Sequence, residues 1–193
     1  MTATRTAVPD RLLAAATQLF AKQGYDGTSV AQIVDAAGVT KGALYHYFSS
    51  KDELLHEVYA RVLRLQSRRL DEIADGPGTP AERLHAAARD VVLTSIANLD
   101  DTTIFQRSVH LLGPEPRERV RQGRRAYHER FREMVHDGQA SGELRSDVHA
   151  DLAVSYFFGA VHHLGSWYRP AGALTAEDVG RQFADLLLRG LTW

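Results

Sequence analysis

The chain of 193 residues contains no cysteine. That excludes disulfides, thiolate zinc sites and cysteine nucleophiles together. It also lacks any apolar run approaching the roughly 18 residues of a membrane span, and its opening MTATRTAVPD has no apolar segment of the secretory kind. The expected location is therefore cytoplasmic, with no membrane partner. Charge of one sign is missing too: the net value is −1. The surface as a whole cannot attract nucleic acid, so any DNA-binding face must be local. Gly-x-Ser-x-Gly, phosphate-binding-loop and dinucleotide fingerprints are absent, and no segment reads as a strand.

What is present is helical periodicity almost throughout. Leu12, Leu13, Ala16, Leu19 and Phe20 form one apolar face after Pro9-Asp10, and Gly24 closes that helix. Ser29 and Gln32 have capping-box spacing ahead of the stripe Val30, Ile33, Val34 and Ala37. Gly38 ends this second, short helix. Thr40 caps a third, and Ser49 or Ser50 caps a long fourth helix running to about Ala74.

The third helix, within GVTKGALYHYFSS at 38–50, is unusual for its length. At about 100° per residue, Leu44 and Phe48 point one way, while Gly42, Tyr45 and His46 point the other, flanked by Lys41 and Tyr47. Two residues anchor the helix, and the rest are free to meet something. Helix, short helix, glycine turn, short helix is the order of a helix-turn-helix, whose last helix enters the major groove.

The stretch TSVAQIVDAAGVTKGALYHYFSSKDELL, residues 28–55, closely resembles the N-terminal signature of TetR-type transcriptional repressors. The resemblance implies an all-α protein of about nine helices. A three-helix DNA-binding domain at 1–50 would be followed by a larger effector-binding and dimerisation domain at 51–193. It implies DNA contacts from Thr28, Thr40, Lys41, Gly42, Tyr45, His46, Tyr47 and Lys51. Among these, Thr28 would hold a phosphate with its hydroxyl and Lys51 would clamp another. The implied partners are a double-stranded operator, a small-molecule effector and a second copy of the chain. No cofactor is implied.

Beyond residue 75 the helices follow turn signals. DGPGTP at 75–80 starts a fifth helix at Pro80, another covers about 101–112, a long one about 115–139, and two more 148–168 and 175–191. Aromatic and small residues occupy every side of 153–168, so this helix has to be covered all round. With the stripe of the last helix it makes a candidate dimer interface of Ala153, Gly159, Ala160, Phe183 and Leu187. Pocket candidates by composition and helix position are Phe105, Val109, His110, Tyr127, Phe131, Phe157, His162 and Trp167. Each is equally suited to core. Arg117, Arg121, Arg124 and Arg125 line one side of the long helix as a candidate anion site, with solvation the commoner explanation. WYRPAGALTAEDVG at 167–180 resembles a segment of the acyl-CoA-responsive actinobacterial branch of the TetR family, which implies a large amphipathic effector. That segment carries an arginine before the tryptophan where this chain has Ser166.

Two other classes compete. Glu53 and His56 have the Glu-x-x-His spacing of helical di-iron sites, but no second such motif accompanies them, and a metal enzyme is not expected. A helical adaptor that binds no DNA would leave Lys41, Tyr45, His46 and Lys51 without a role.

Overall fold

The computed structural model describes residues 7–193, without the side chain of Phe105. Its helices are α1 Val8–Gln23, α2 Val30–Ala37, α3 Lys41–Tyr47, α4 Lys51–Ala74, α5 Pro80–Ala97, α6 Leu99–Ser108, α7 Pro114–Ala140, α8 Ala150–His162, α9 Leu164–Trp167 and α10 Ala176–Leu191. A 3-10 turn, Val109–Leu111, follows α6. No strand occurs among the described residues.

The helix starts follow local chemistry. Ser29 and Gln32 complete the expected capping box on α2, and Thr40 accepts from the Ala43 amide at 3.1 Å. Ser50, rather than Ser49, caps α4 by accepting from the Glu53 amide at 3.1 Å. Thr79 with Glu82, and Thr175 with Asp178, build two further boxes. These bonds satisfy amide groups that an uncapped helix leaves orphaned.

Two expected helices are revised. The segment 101–112 ends as α-helix at Ser108 and tightens into the 3-10 turn. The segment 148–168 is interrupted at His163, whose backbone lies at φ −83°, ψ −5°, while the Ser166 hydroxyl donates to the His163 carbonyl at 2.7 Å. The Ser166 amide donates to the same carbonyl at 3.0 Å, and the His163 amide turns to the Ala160 carbonyl at 3.1 Å, so the ladder tightens to i→i+3 bonds here and α9 restarts as a separate turn.

The chain divides into two compact units that do not follow its linear order. One comprises the described residues up to Val62 together with Asp100–Arg121, the other Leu63–Leu99 with Gln122–Trp193. The first has a core of Leu12, Ala16, Phe20, Ile33, Leu44, Phe48, Leu54, Leu55 and Val58, completed by Ile104, Leu112 and Val120 from later in the chain. Buried Asp101 accepts from Arg61 and joins α6 to α4 within this unit. Phe48 and Leu54, on either side of the boundary at residue 50 suggested by the motif, both belong to this core.

In the second unit α5 packs along α10. His85 Nε2 lies 2.8 Å from Asp185 Oδ1, and Gly180 allows the close approach, since a Cβ there would stand 3.3 Å from the Leu93 side chain. An aromatic cluster fills the space between α7 and α8. Phe131 stacks on Phe157 at 5.1 Å, and Tyr127 meets Phe158 edge-on at 5.6 Å.

Candidate nucleic-acid interface

The corners on either side of α2 are held by side chains from α1 and α4. Gly38 turns the chain from α2 to α3 at φ 61°, ψ 42°, a left-handed conformation that suits glycine. Arg11 of α1 donates to the carbonyls of Ala37 and Gly38, the latter at 2.9 Å, and so fastens the turn. On the other side, Tyr25 donates to Asp52. Burial and this carboxylate both push the phenol above its ordinary pKa.

On α3, Leu44 is fully buried and Phe48 closes the helix from within the core. Thr40, Lys41, Gly42, Tyr45, His46 and Tyr47 are all exposed. Tyr45 and Tyr47 keep about half their surface open, at 49% and 48%. Lys41 Nζ stands 5.9 Å from the Tyr45 ring, and His46 meets Tyr47 edge-on at 4.8 Å. Two exposed tyrosines, a lysine and a histidine on a helix of seven residues form a surface able to donate to phosphates and base edges. At Gly42 a Cβ would meet nothing nearer than Thr40 Oγ1 at 3.9 Å. The fold therefore does not require glycine there for space.

Thr28 and Lys51 are placed otherwise than the sequence suggested. Thr28 is 1% exposed, and its hydroxyl donates to the Gly24 carbonyl at 2.7 Å. The hydroxyl is turned away from solvent, so a phosphate at this corner would have to be met by backbone amides. Lys51 is half-buried: Nζ donates to the carbonyls of Tyr25 and Thr28 at 2.9 and 3.0 Å and lies 4.0 Å from the Tyr25 ring. It works as a strut between α4 and the entrance to α2, with two of its donors engaged.

The pocket candidates separate. Tyr127, Phe131 and Phe157 are buried together, with His162 beside them. Val109 packs against the core of the first unit, and His110 is exposed. Trp167 is also exposed and stacks on Phe183 at 6.4 Å. The side chain of Phe105 lies outside the described residues. His128, on the long helix α7, stacks on Phe158 at 4.1 Å. Burial, with Arg124 next in effect, lowers both His128 and His162 to about 4. Arg124 donates to the Nε2 of His162 at 3.3 Å, consistent with a neutral ring.

The arginines do not act as one set. Arg117 donates to the carbonyls of His110 and Leu112, Arg121 forks onto Glu118, and Arg124 faces His162. Arg125 is exposed. Each of the first three has its own local partner, and the Glu118 carboxylate offsets the charge of Arg121 without any ligand.

The candidate dimer residues differ in how open they are in the single chain. Ala153 and Leu187 are buried within the chain, while Leu152, Tyr156 and Leu186 are 66%, 73% and 67% exposed. Gly159 is open, Ala160 and Phe183 half-buried. Leu152, Tyr156, Leu186 and Gly190, together with Ala153 and Leu187 of the expected set, border a shallow apolar groove of about 280 Å³ between α8 and α10. The 152, 156, 159 spacing was a readable signal, hidden by apolar residues on every other side of α8.

Residues 12–58 match the family model described as bacterial regulatory proteins, tetR family, and residues 77–191 match that of the tetracyclin repressor-like C-terminal domain. The HTH-type transcriptional repressor KstR2 of Mycobacterium tuberculosis is 30% identical over 190 residues, covering 94% of this chain and 91% of that protein. Among solved structures, the TetR family regulator PfmR from Thermus thermophilus superposes with a TM-score of 0.85 at 30% identity, covering 95% of this chain and 100% of the other. AibR, solved in complex with isovaleryl coenzyme A and operator DNA, superposes with a TM-score of 0.79 at 26% identity, covering 96% and 98%.

Proposed function

The chain belongs to the TetR family of bacterial regulatory proteins, and on that footing we propose that it is a transcriptional repressor. It binds a palindromic operator as a homodimer and leaves it when a small-molecule effector binds. The observation that carries this reading is the exposed face of α3, where Lys41, Gly42, Tyr45, His46 and Tyr47 surround a helix anchored by buried Leu44. Such a face has no use in a helical adaptor. Residues 1–50 read DNA, with Thr40 setting the start of the recognition helix and Lys51 bracing it. Residues 51–193 bind the effector and pair the two chains.

Dimerisation is supported by Leu152, Tyr156 and Leu186, large apolar side chains left open along one face. Two recognition helices related by a two-fold axis match two half-sites one helical turn apart. The proposed effector is an acyl-CoA or a similarly large amphipathic molecule. Isovaleryl coenzyme A in AibR and the aromatic cluster around Phe131 favour that class. Such a ligand releases DNA by preferring the state that fits the operator poorly.

The test is fluorescence anisotropy of a labelled duplex from the upstream region of the protein's own gene. Tight, salt-sensitive binding is expected, reversed by isovaleryl-CoA or by longer or cyclic acyl-CoA thioesters more strongly than by the free acids. Absence of specific binding to any upstream duplex would return the chain to the adaptor class. Binding that ignores every thioester would remove the proposed effector class.

A further inference from the structure

In the first half of α4, Glu53, His56 and Glu57 bring an imidazole nitrogen and two carboxylate oxygens within 4.8 Å of one another. His56 is 8% exposed, and its Nδ1 is buried without a hydrogen-bond partner. That nitrogen stands 3.8 Å from Oε1 of Glu53 and 3.6 Å from Oε1 of Glu57. Buried polar atoms normally have partners, and one that does not calls for an explanation. We propose that the three side chains form a binding site for a divalent transition-metal ion of the zinc class.

The geometry is close to what such an ion needs. With bonds of 2.0–2.2 Å to nitrogen and oxygen, neighbouring ligand atoms on a tetrahedral ion are about 3.4 Å apart. The two separations from His56 exceed this by only a few tenths of an ångström, and the two carboxylate oxygens, within 4.8 Å of each other, close on an ion by side-chain rotation. Glu53 and His56, three apart, share a helix face. Glu57 follows His56 directly and starts about 100° away, but its longer side chain reaches back to bring Oε1 alongside.

The surroundings fit as well. Arg119 donates to the other oxygen of Glu53, Oε2, at 2.9 Å, which leaves Oε1 beside His56. Outer partners of this kind fix the orientation of metal-ligating carboxylates. Glu57 has contacts besides His56, so the ion enters in competition with them. One nitrogen and two oxygens, in a chain without cysteine, suit Zn²⁺, Co²⁺ or Ni²⁺ and not the thiolate-seeking Cu⁺. A mononuclear site also needs no second Glu-x-x-His, the lack of which counts against a di-iron centre. The competing explanation is a direct contact of His56 with the two glutamates, which takes up no metal.

The experiment titrates the full-length, metal-stripped and tag-free protein with Zn²⁺ in competition with a chromophoric chelator, and repeats it with Co²⁺ to read ligand-field absorption. One equivalent per chain is expected, with affinity at least tenfold weaker in His56→Gln and in Glu57→Gln and no cobalt spectrum in either. Thermal melts in chelator establish that each variant folds. Should His56→Gln not fold, the isosteric change at the more exposed Glu57 decides alone. Failure of the parent to take up one equivalent, or equal uptake by the folded variants, overturns the site, the latter assigning the metal to exposed histidines such as His149 and His163. Operator binding is not read, so the outcome is independent of the proposed repressor function.

Discussion

The ammonium of Lys51 donates to the carbonyl of Thr28 at 3.0 Å, bridging the start of α4 and the corner before α2. With the Tyr25 carbonyl at 2.9 Å and the Tyr25 ring beneath it, this lysine holds the reading head together. Lys51→Ala is expected to destabilise the protein by about 1.5–3 kcal/mol, the range for hydrogen bonds to a charged group, and to weaken operator and random DNA alike. Lys41→Ala should leave urea stability within about 0.5 kcal/mol and reduce the salt dependence of DNA binding by about one unit. Identical urea midpoints for Lys51→Ala and the parent would remove the strut.

Gly42 tests how closely α3 approaches DNA. The free protein has room for a side chain there, and leucine is the better helix former by about 1 kcal/mol. Gly42→Leu should therefore fold at least as stably as the parent while losing tenfold or more in operator affinity. Unchanged affinity would refute the docking of this face.

Leu186 and Tyr156 test assembly. Both are exposed in the single chain, so Leu186→Asp with Tyr156→Asp should leave each chain folded. A stable dimer buries at least about 1,000 Å², and two unpaired charges within it should give monomers in sedimentation and a matching loss of operator affinity. Phe183→Asp is a poorer probe, because Phe183 is half-buried and stacked on Trp167. A double variant that sediments as a dimer would place the interface elsewhere.

His128 and His162 set a pH dependence. Their folded pKa values, about 4, lie below the ordinary histidine value, so the unfolded chain binds more protons between about pH 4 and 6.5. Stability is present above that window and is lost as pH falls through it. After allowance for partial exposure, the loss from about pH 7 to 5 should be about 1 kcal/mol per histidine. Urea melts of His128→Gln and His162→Gln should show a flatter pH profile, and a profile parallel to the parent's would mean that neither ring is neutralised by burial.

Much of the head could be read before folding. The stripe of α1, the Ser29 and Gln32 box, the glycine turn and the division of α3 between Leu44 and its exposed neighbours follow from local spacing, and local chemistry decides them. Three features depend on tertiary contacts instead. Lys51 has the same spacing whether it extends to a phosphate or bends back onto carbonyls, because its long stem permits both. Periodicity identifies Ile104, Leu112 and Val120 as apolar but not the core they join. On α8, where apolar residues occupy every side, a helical wheel cannot distinguish inward Ala153 from outward Leu152.

The sharing of the head's core with Asp100–Arg121 bears on how such proteins diversify. A recombination event with one crossover just past α3 would transplant a DNA specificity whose inner surface was shaped against another chain's Ile104, Leu112 and Val120. The new head would meet a foreign floor. Inheriting it intact takes two exchanges or a round of compensating change at those positions, so the residues that read DNA are free to drift singly while the piece that carries them resists being swapped whole.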